Sequence, residues 1–311
     1  MNDLQLLLDE YLAARRALGA KLKLPGRLLQ RFVAFVAQRK TAFITTELAL
    51  QWATEPRGAQ PATWANRLAM VRRFAQYASI VEARHEVPPP DLLPYRYHRP
   101  APYIYRDEEV AALIGAAQRL PGFTGLRPHT CATLLGLIAI TGMRVNEPLG
   151  LDRDDVDLAH GVLTVRGSKF GKSRLVPVHD STRRALRHYA AQRDRLCPNP
   201  HSPSFFLSER GTRVTEWALR WTFVKLSRQC GLRGPADSHG PRLHDFRHRF
   251  AVNTLLRWYR RGVDVEHHLP HLATYLGHAH VSDTYWYLTA TPELLQLAAR
   301  RLDRVTRRGL S

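Results

Sequence analysis

Cysteine and long apolar runs are scarce in this sequence, and their scarcity excludes several classes of protein. The three cysteines, Cys131, Cys197 and Cys230, are scattered without CxxC spacing, which argues against a disulfide framework and a thiolate zinc site. No apolar stretch approaches the roughly 20 residues that a membrane-spanning helix needs. The N-terminus carries early acidic residues and lacks the apolar run of a signal peptide. We therefore expect a protein that does not associate with membranes and that resides in the reducing cytoplasm.

Acidic residues are also few compared with basic ones. Lys and Arg number 46 against 27 Asp and Glu, so the formal net charge is +19 and the pI is near 10.6. Such a field attracts polyanions, and DNA or RNA is the expected partner; the alternative is a surface made basic for solubility alone. Hydrophobic residues make up 44% of the 311 residues, which is enough for two folded domains.

Helical patterns dominate residues 1–85. Apolar side chains recur at helical spacing in four stripes, of which the first runs from Leu4 to Leu18 and the last from Trp64 to Ala78. Thr45 or Thr46 is a candidate cap for the short third helix. We expect a bundle of four helices with basic residues on its outside.

A proline-rich segment and a mixed region follow. Residues 86–103 contain six prolines, which exclude a helix or a central strand and predict an extended linker. Basic and aromatic residues alternate there, so the linker either contacts a phosphate backbone or is a solvated spacer. Residues 104–311 are predicted to contain a buried helix at 130–142, strands at 161–166 and 175–178, and a hairpin turn at 167–173. The predicted fold class is mainly α with a small β-sheet (α+β).

The string TGMRVNE places a cation beside the core. Gly142 ends an apolar helix, and Arg144 follows two residues later. An arginine beside a core is costly unless it meets an anion. That anion could be a bound phosphate, or simply Glu147 or Asp154, so this motif alone does not identify a site.

The predicted hairpin carries a second candidate cation. Lys169 stands between two glycines near the tip, where a hairpin can project one flexible charge into a cleft. Lys172 and Arg174 are close competitors. Most hairpin lysines are merely solvated, so this motif also needs support from others.

The string LHDFRHRFA brings an imidazole and a guanidinium together. His244 and Arg247 are three residues apart and share one face if the segment is helical. Phe246 and Phe250, four residues apart, would anchor another face in the core. Further histidines lie nearby, but neither HExxH nor another zinc spacing occurs, and we expect no metal.

The last motif is LGH followed by a tyrosine. His278 precedes a segment in which Ser282 or Asp283 could cap a helix that carries Tyr287. Tyr275 and Tyr285 lie in the same stretch, and most tyrosines there would be core or interface residues.

In the order Arg, Lys, His-x-x-Arg, His and Tyr, the chain resembles the tyrosine recombinase family, which comprises the integrases of phages and mobile elements and the Xer-type enzymes. The strings TGMRVNE, SKFGKSRLVPV, LHDFRHRFA and LGH…Y match the family's motifs in order and spacing. The nine-residue step from His278 selects Tyr287 over Tyr285. The K-x-G-K string selects Lys169 over Lys172. Residues 104–311 carry the resemblance, whereas residues 1–85 resemble the family's core-binding domain only in size, helix count and position.

The resemblance implies a role for each candidate residue. Arg144 and Arg247 would clamp the nonbridging oxygens of a DNA phosphate, which Tyr287 attacks. His244 would act as general base or proton relay, and Lys169 would protonate the departing 5′ oxygen. His278 would donate a hydrogen bond to the phosphate, without cofactor or metal. The implied organisation is a helical core-binding domain (1–85), a linker (86–103) and a catalytic domain with a C-terminal helix (104–311).

The resemblance also implies partners. They are double-stranded DNA with inverted half-sites, a homo-tetramer assembled on it, and accessory recombination proteins, in a bacterial cytoplasm at the nucleoid. A C-terminal stripe (Leu294, Ala298, Leu302 and Val305) would dock in trans, which is favoured here, or fold back on its own domain. The closing segment is more similar to mobile-element enzymes than to Xer enzymes. A type IB topoisomerase and a catalytically silent DNA-binding protein are the alternatives.

Overall fold

The computed structural model describes residues 3–96, 101–167, 173–237, 239–289 and 291–309, and of these it gives no side-chain surroundings for 289 and 302–309. The chain divides into two compact units, Met1–Pro100 and Ala101–Ser311. The hairpin tip that includes Lys169 and Lys172 lies outside the described residues. Over the described part of the chain, none of the helices combines the length and the hydrophobicity that crossing a membrane requires.

The first unit contains the four predicted helices. They are α1 (Asp3–Ala17), α2 (Lys23–Gln38), α3 (Thr46–Thr54) and α4 (Pro61–Val81). Their apolar stripes meet in one core, where the rings of Phe32 and Trp52 pack edge to face with centroids 5.3 Å apart. Of the two candidate caps, Thr45 is the one used: its hydroxyl accepts a hydrogen bond from the Leu48 amide at 3.2 Å.

The proline-rich segment is held at both of its ends. Arg72 on α4 donates hydrogen bonds to the carbonyls of Pro88 (2.8 Å) and Pro89 (2.6 Å), so this stretch packs along the first unit. Just beyond the segment, the buried Tyr105 ring stacks on Phe246 of the second unit at 4.4 Å. Prolines leave these carbonyls without competing amide donors nearby, which suits them to accept from an arginine.

The second unit is mainly helical, as predicted. Its helices are α5 (Asp107–Gln118), α6 (Leu126–Thr141), α7 (Asn146–Gly150), α8 (Asp180–Leu196), α9 (Glu216–Gln229), α10 (Asp245–Arg260), α11 (Val265–Leu276), α12 (Ser282–Tyr285) and α13 (Pro292–Gly309). Single 3₁₀ turns occupy Arg153–Asp155 and Trp286–Thr289. The buried helix α6 begins at Leu126, four residues earlier than expected. Its start is marked by Gly125, the N-cap residue, which has a left-handed conformation.

A small antiparallel sheet accompanies these helices. It has three strands in the order β1 (Val156–Asp157), β2 (Val162–Val165) and β3 (Arg174–Pro177). The two predicted strands are β2 and β3, and β1 is too short to leave an alternating pattern in the sequence. In the β2–β3 register Val165 faces Arg174. Arg174 therefore belongs to the last residue pair before the hairpin loop, at the base of that loop.

Two apolar clusters organise the second unit. One surrounds α6, the sheet and α9, and the other joins α10 and α11 with the start of α13. Leu294 of α13 is fully buried in the latter cluster, and Glu293 pairs with Arg260 at 2.6 Å. The favoured trans docking of the C-terminal stripe is therefore wrong for Leu294, which packs on its own unit. Leu302 and Val305 lie outside the described side chains.

Candidate functional site

The turn after α6 positions Arg144. Gly142 ends the helix in the left-handed conformation (φ 62°), and a Cβ there would lie 2.7 Å from the Phe250 ring. Both the backbone angle and the space favour glycine at this position. Arg144 follows two residues later, with its side chain 24% exposed, so its guanidinium can be reached from solvent.

Glu147 joins two arginines. Its carboxylate accepts from Nη1 and from the backbone amide of Arg144, at 3.1 and 2.8 Å, which settles the choice between Glu147 and Asp154. It also accepts both terminal nitrogens of Arg174, at 2.9 and 2.8 Å. Burial by itself raises the pKa of Glu147, but the hydrogen bonds and charges of Arg174 and then of Arg144 together outweigh it and hold that pKa below the usual value. The carboxylate is therefore ionised and shared between two cations.

The start of α10 carries His244 and Arg247, as predicted. His244 is the N-cap residue and keeps exposed surface, whereas Arg247, one turn later, is only 1% exposed. Arg247 donates to the Gly142 carbonyl at 2.9 Å, which fastens α10 to the turn that carries Arg144. Phe246 and Phe250 anchor the helix in the two different apolar clusters.

The C-terminal turn of α11 gathers three arginines on consecutive carbonyls. Arg174 donates through Nε to Tyr275 (2.8 Å), Arg247 through Nη2 to Leu276 (2.8 Å), and Arg144 through Nη2 to Gly277 (2.9 Å). The last carbonyls of a helix have no partners within it and carry partial negative charge. This helix end therefore holds cations from α10, β3 and the turn after α6 side by side.

Tyr287 lies against this cluster. It is 3% exposed and belongs to the 3₁₀ turn that follows α12. The prediction of a side-chain cap from Ser282 or Asp283 is wrong, because α12 begins after Val281 without one. The Tyr287 ring stacks on His278, with centroids 6.1 Å apart and planes 15° from parallel, and it also contacts His248 at 5.6 Å.

The electrostatics of the site follow from this crowding. Desolvation, and then the positive Arg247, lowers the pKa of His278 to about 4 and that of His244 to about 4. Both imidazoles are thus neutral at pH 7. Desolvation also lowers the pKa of Arg247 to about 10, and the neighbouring Tyr287 acts in the opposite direction. The Nδ1 atom of His278 is hydrogen-bonded to the Thr284 hydroxyl at 2.7 Å.

The structure thus brings Arg144, His244, Arg247, His278 and Tyr287 together, and Lys169 lies outside the described residues. The competing tyrosines are placed differently: Tyr285 is 52% exposed, and the Tyr275 ring stacks on Phe250.

Two residues at the site were not predicted. Arg174 was considered only as a rival hairpin cation, yet its side chain is 10% exposed and ion-paired. His248, one of the further histidines of the LHDFRHRFA string, was considered only in the search for zinc spacing, yet its buried ring lies between His244 and Tyr287. The i, i+4 spacing of the two histidines on α10 was the available signal. Among the described residues no group of three or more His, Cys, Asp or Glu side chains is arranged to bind a metal.

Comparison with known proteins gives consistent likenesses. The model of the phage integrase family matches residues 105–293. A Sinorhizobium fredii protein named as an integrase/recombinase, y4rB, is 49% identical over 98% of each chain. Tyrosine recombinase XerD of Caulobacter vibrioides is 30% identical over 77% of this chain and 74% of its own.

The fold has solved counterparts. The Tn1549 transposon integrase, in complex with transposon right end DNA, superposes with a TM-score of 0.66 at 16% identity, covering 98% of this chain and all of that one. The XerH site-specific recombinase gives a TM-score of 0.60 at 19% identity over 89% and 77% of the two chains. These likenesses do not favour the topoisomerase or the silent DNA-binding protein. The chain belongs to the phage integrase family, and it is a tyrosine recombinase that breaks and rejoins DNA in site-specific recombination.

Proposed function

We propose that Tyr287 is the nucleophile of this recombinase and that Arg144, Lys169, His244, Arg247 and His278 assist it. The observation that carries the proposal is the set of guanidiniums held on one helix end beside a buried phenol. A phenol has an ordinary pKa of about 10 and is a poor nucleophile at neutral pH. Adjacent fixed cations favour its phenolate and stabilise the charge that develops on an attacked phosphate.

The two arginines take different positions around the phosphate. Arg144 is partly exposed, so it meets an incoming phosphodiester first and can offer paired donors to its nonbridging oxygens. Arg247 is buried, and two of its nitrogens donate hydrogen bonds to backbone carbonyls. Its orientation is fixed before DNA arrives, and preorganised charge is what transition-state stabilisation requires.

The histidines act in their neutral forms. The lowered pKa keeps His244 unprotonated at pH 7, so its ring can take up the phenolic proton as general base or proton relay. If Thr284 donates to Nδ1 of His278, then Nε2 of that ring carries the proton and can donate to a phosphate oxygen. The stacked contact between His278 and Tyr287 supports placing both at one phosphate.

The Tyr287 oxygen attacks phosphorus while its proton passes to His244, and the bond from phosphorus to the 5′ oxygen breaks. That oxygen takes a proton from Lys169 and leaves as a 5′-hydroxyl. The product is a 3′-phosphotyrosyl ester, whose energy lets another 5′-hydroxyl reseal the strand without ATP. Lys169 takes this role as the first lysine of the K-x-G-K motif.

The substrate and assembly are proposed from the same family. We infer that the chain acts on double-stranded DNA with inverted half-sites, as a homo-tetramer, with residues 1–85 as a core-binding domain and 104–311 as the catalytic domain. The integrase/recombinase name of the 49% identical relative and the transposon integrase among the fold's counterparts favour integration, excision or transposition of a mobile element.

The test is covalent capture of DNA. A duplex selected from a random-sequence library by the purified chain is rebuilt as a set of suicide substrates, nicked at successive phosphates. The wild type should give a protein–DNA adduct that resists SDS, with the protein on a 3′ phosphate and a free 5′-hydroxyl on the released strand. Tyr287→Phe should bind the duplex with little change and give no adduct, because only the attacking oxygen is lost.

The control is the neighbouring tyrosine. Tyr285→Phe should form adduct at the wild-type rate, since Tyr285 is exposed and outside the cluster. Loss of the adduct in Tyr285→Phe and its persistence in Tyr287→Phe would overturn the assignment. Failure of the wild type to form any adduct would overturn the proposed mechanism as a whole.

A further inference from the structure

Arg174 differs from Arg166, the other arginine of the β-hairpin, in its burial. Its side chain is only 10% exposed, whereas Arg166, at the opposite side of the hairpin base, is 69% exposed. Arg174 begins β3, five residues after Lys169 in the chain. A buried arginine is stable only if its donors are satisfied, and three of its nitrogens have partners.

Those partners are parts of the cation cluster. Both terminal nitrogens of Arg174 bind Glu147, one to each carboxylate oxygen, and Nε binds the Tyr275 carbonyl. Planar bidentate pairs of this kind fix geometry as well as charge. Gly277 leaves room for the guanidinium: a Cβ on Gly277 would lie 2.8 Å from Nη1 of Arg174, and its φ of 69° also favours glycine. The cluster is built around this side chain.

We infer that Arg174 is a positioning residue for DNA cleavage, which keeps Glu147 from neutralising Arg144 and ties the base of the lysine-bearing hairpin to the cluster. The inference rests on the proposed function. Glu147 carries one negative charge and contacts two guanidiniums. With Arg174 in place, the charges of Arg144, Glu147 and Arg174 sum to +1. The positive charge of Arg144 can therefore still attract a phosphate.

Without Arg174 the balance changes. The carboxylate of Glu147 would pair with Arg144 alone, and the pair would be neutral. The positive potential that a phosphate meets would fall, although Arg144 itself is still present. Since charge on the phosphate increases in the transition state, the loss should appear in the cleavage rate more than in DNA binding.

The experiment uses the nicked duplexes of the previous section at saturating protein. Arg174→Ala should lower the single-turnover rate of adduct formation by about 30-fold or more, while the dissociation constant for DNA changes by less than about 3-fold. Added guanidinium ion at low millimolar concentration should restore part of the rate in Arg174→Ala, and urea at the same concentration should not. A residue that served only stability would give no such rescue.

A second variant covers the case in which Arg174→Ala fails to fold. Arg174→Lys keeps one positive charge beside Glu147 but cannot make the bidentate pair and the Tyr275 contact together. It should melt near the wild-type temperature and still cleave about 10-fold more slowly. The matched control is Arg166→Ala on the same hairpin, which breaks an ion pair with the buried Asp155 of the preceding 3₁₀ turn and should cleave at the wild-type rate.

The outcomes separate this inference from the proposed mechanism. Wild-type cleavage rates in both Arg174 variants, beside an inactive Tyr287→Phe, would overturn the positioning role and leave the nucleophile intact. A slow Arg174→Ala that guanidinium does not rescue, beside a wild-type Arg174→Lys, would also overturn it, because charge or stability alone would then suffice. Absence of adduct in the wild type would remove the proposed function itself.

Discussion

Replacing Arg247 by methionine should separate the stability of the fold from its chemistry. Methionine has a similar length and is apolar, so it fills the buried space without a charge. The folded chain holds the guanidinium at a pKa of about 10 against the ordinary 12.5. That difference corresponds to about 3 kcal/mol of cost for keeping the cation buried. Arg247→Met removes this cost.

The opposing term is the loss of two hydrogen bonds. The carbonyls of Gly142 and Leu276 lose their donors, and each loss costs roughly 1–3 kcal/mol. Together these losses amount to roughly 2–6 kcal/mol against the gain of about 3 kcal/mol, so the free energy of unfolding of Arg247→Met should stay within about 3 kcal/mol of the wild type. The rate of adduct formation should nevertheless fall at least about 100-fold, because a preorganised donor to the phosphate is gone.

Urea unfolding and single-turnover cleavage at saturating protein measure the two effects. Arg193→Met is the matched control, since Arg193 is also buried and donates to a backbone carbonyl, that of Phe205, in another part of the unit. The control should lose stability and keep its cleavage rate. A cleavage rate of Arg247→Met within about 10-fold of the wild-type rate would refute the proposal that Arg247 binds the phosphate. Loss of more than about 4 kcal/mol of stability would refute the cancellation.

Two further predictions concern the fold. Burial lowers the pKa of His85, whose Nδ1 accepts a hydrogen bond from the Ile44 amide at 3.1 Å. The unfolded state therefore binds a proton on His85 more readily than the folded state does. The stability that neutral His85 contributes is present above the unfolded pKa near 6.5 and falls as the pH drops below it. Urea midpoints at pH 8 and pH 5 should therefore differ less in His85→Gln than in the wild type, and equal differences would contradict this. Gly142→Ala should lose roughly 2–4 kcal/mol of stability, from backbone strain plus overlap with the Phe250 ring. Gly125 shares a positive φ, but a Cβ there would meet no atom within 4 Å. Gly125→Ala should therefore lose only about 1–2 kcal/mol. Equal losses in a thermal melt would rule out the overlap.

The sequence predicted the elements whose signals are periodic or local. The four N-terminal helices, the buried helix at 130–142 and two of the three strands are present, because apolar spacing and glycine punctuation determine them directly. Gly142 was recognised as a helix end for the same reason. The two-residue strand β1 and the 3₁₀ conformation at Tyr287 depend on tertiary packing, which leaves no comparable pattern.

The site shows the same division. Family motifs identified Arg144, His244, Arg247, His278 and Tyr287, and the structure places them together. The pairing of Glu147 with Arg174 joins residues 27 positions apart, and no rule of spacing relates a helix turn to a strand end. The docking of Leu294 was likewise a choice between two apolar surfaces that the sequence describes equally well.

The acceptors that hold the three arginines belong to the main chain of α11, and this affects how the protein can vary. Almost any side chain on the exposed face of that helix can be exchanged without removing a carbonyl from Tyr275, Leu276 or Gly277. A single inserted or deleted residue, however, would turn the helix end by about 100° and present different carbonyls to each guanidinium. The segment should therefore tolerate extensive drift in composition and almost none in length.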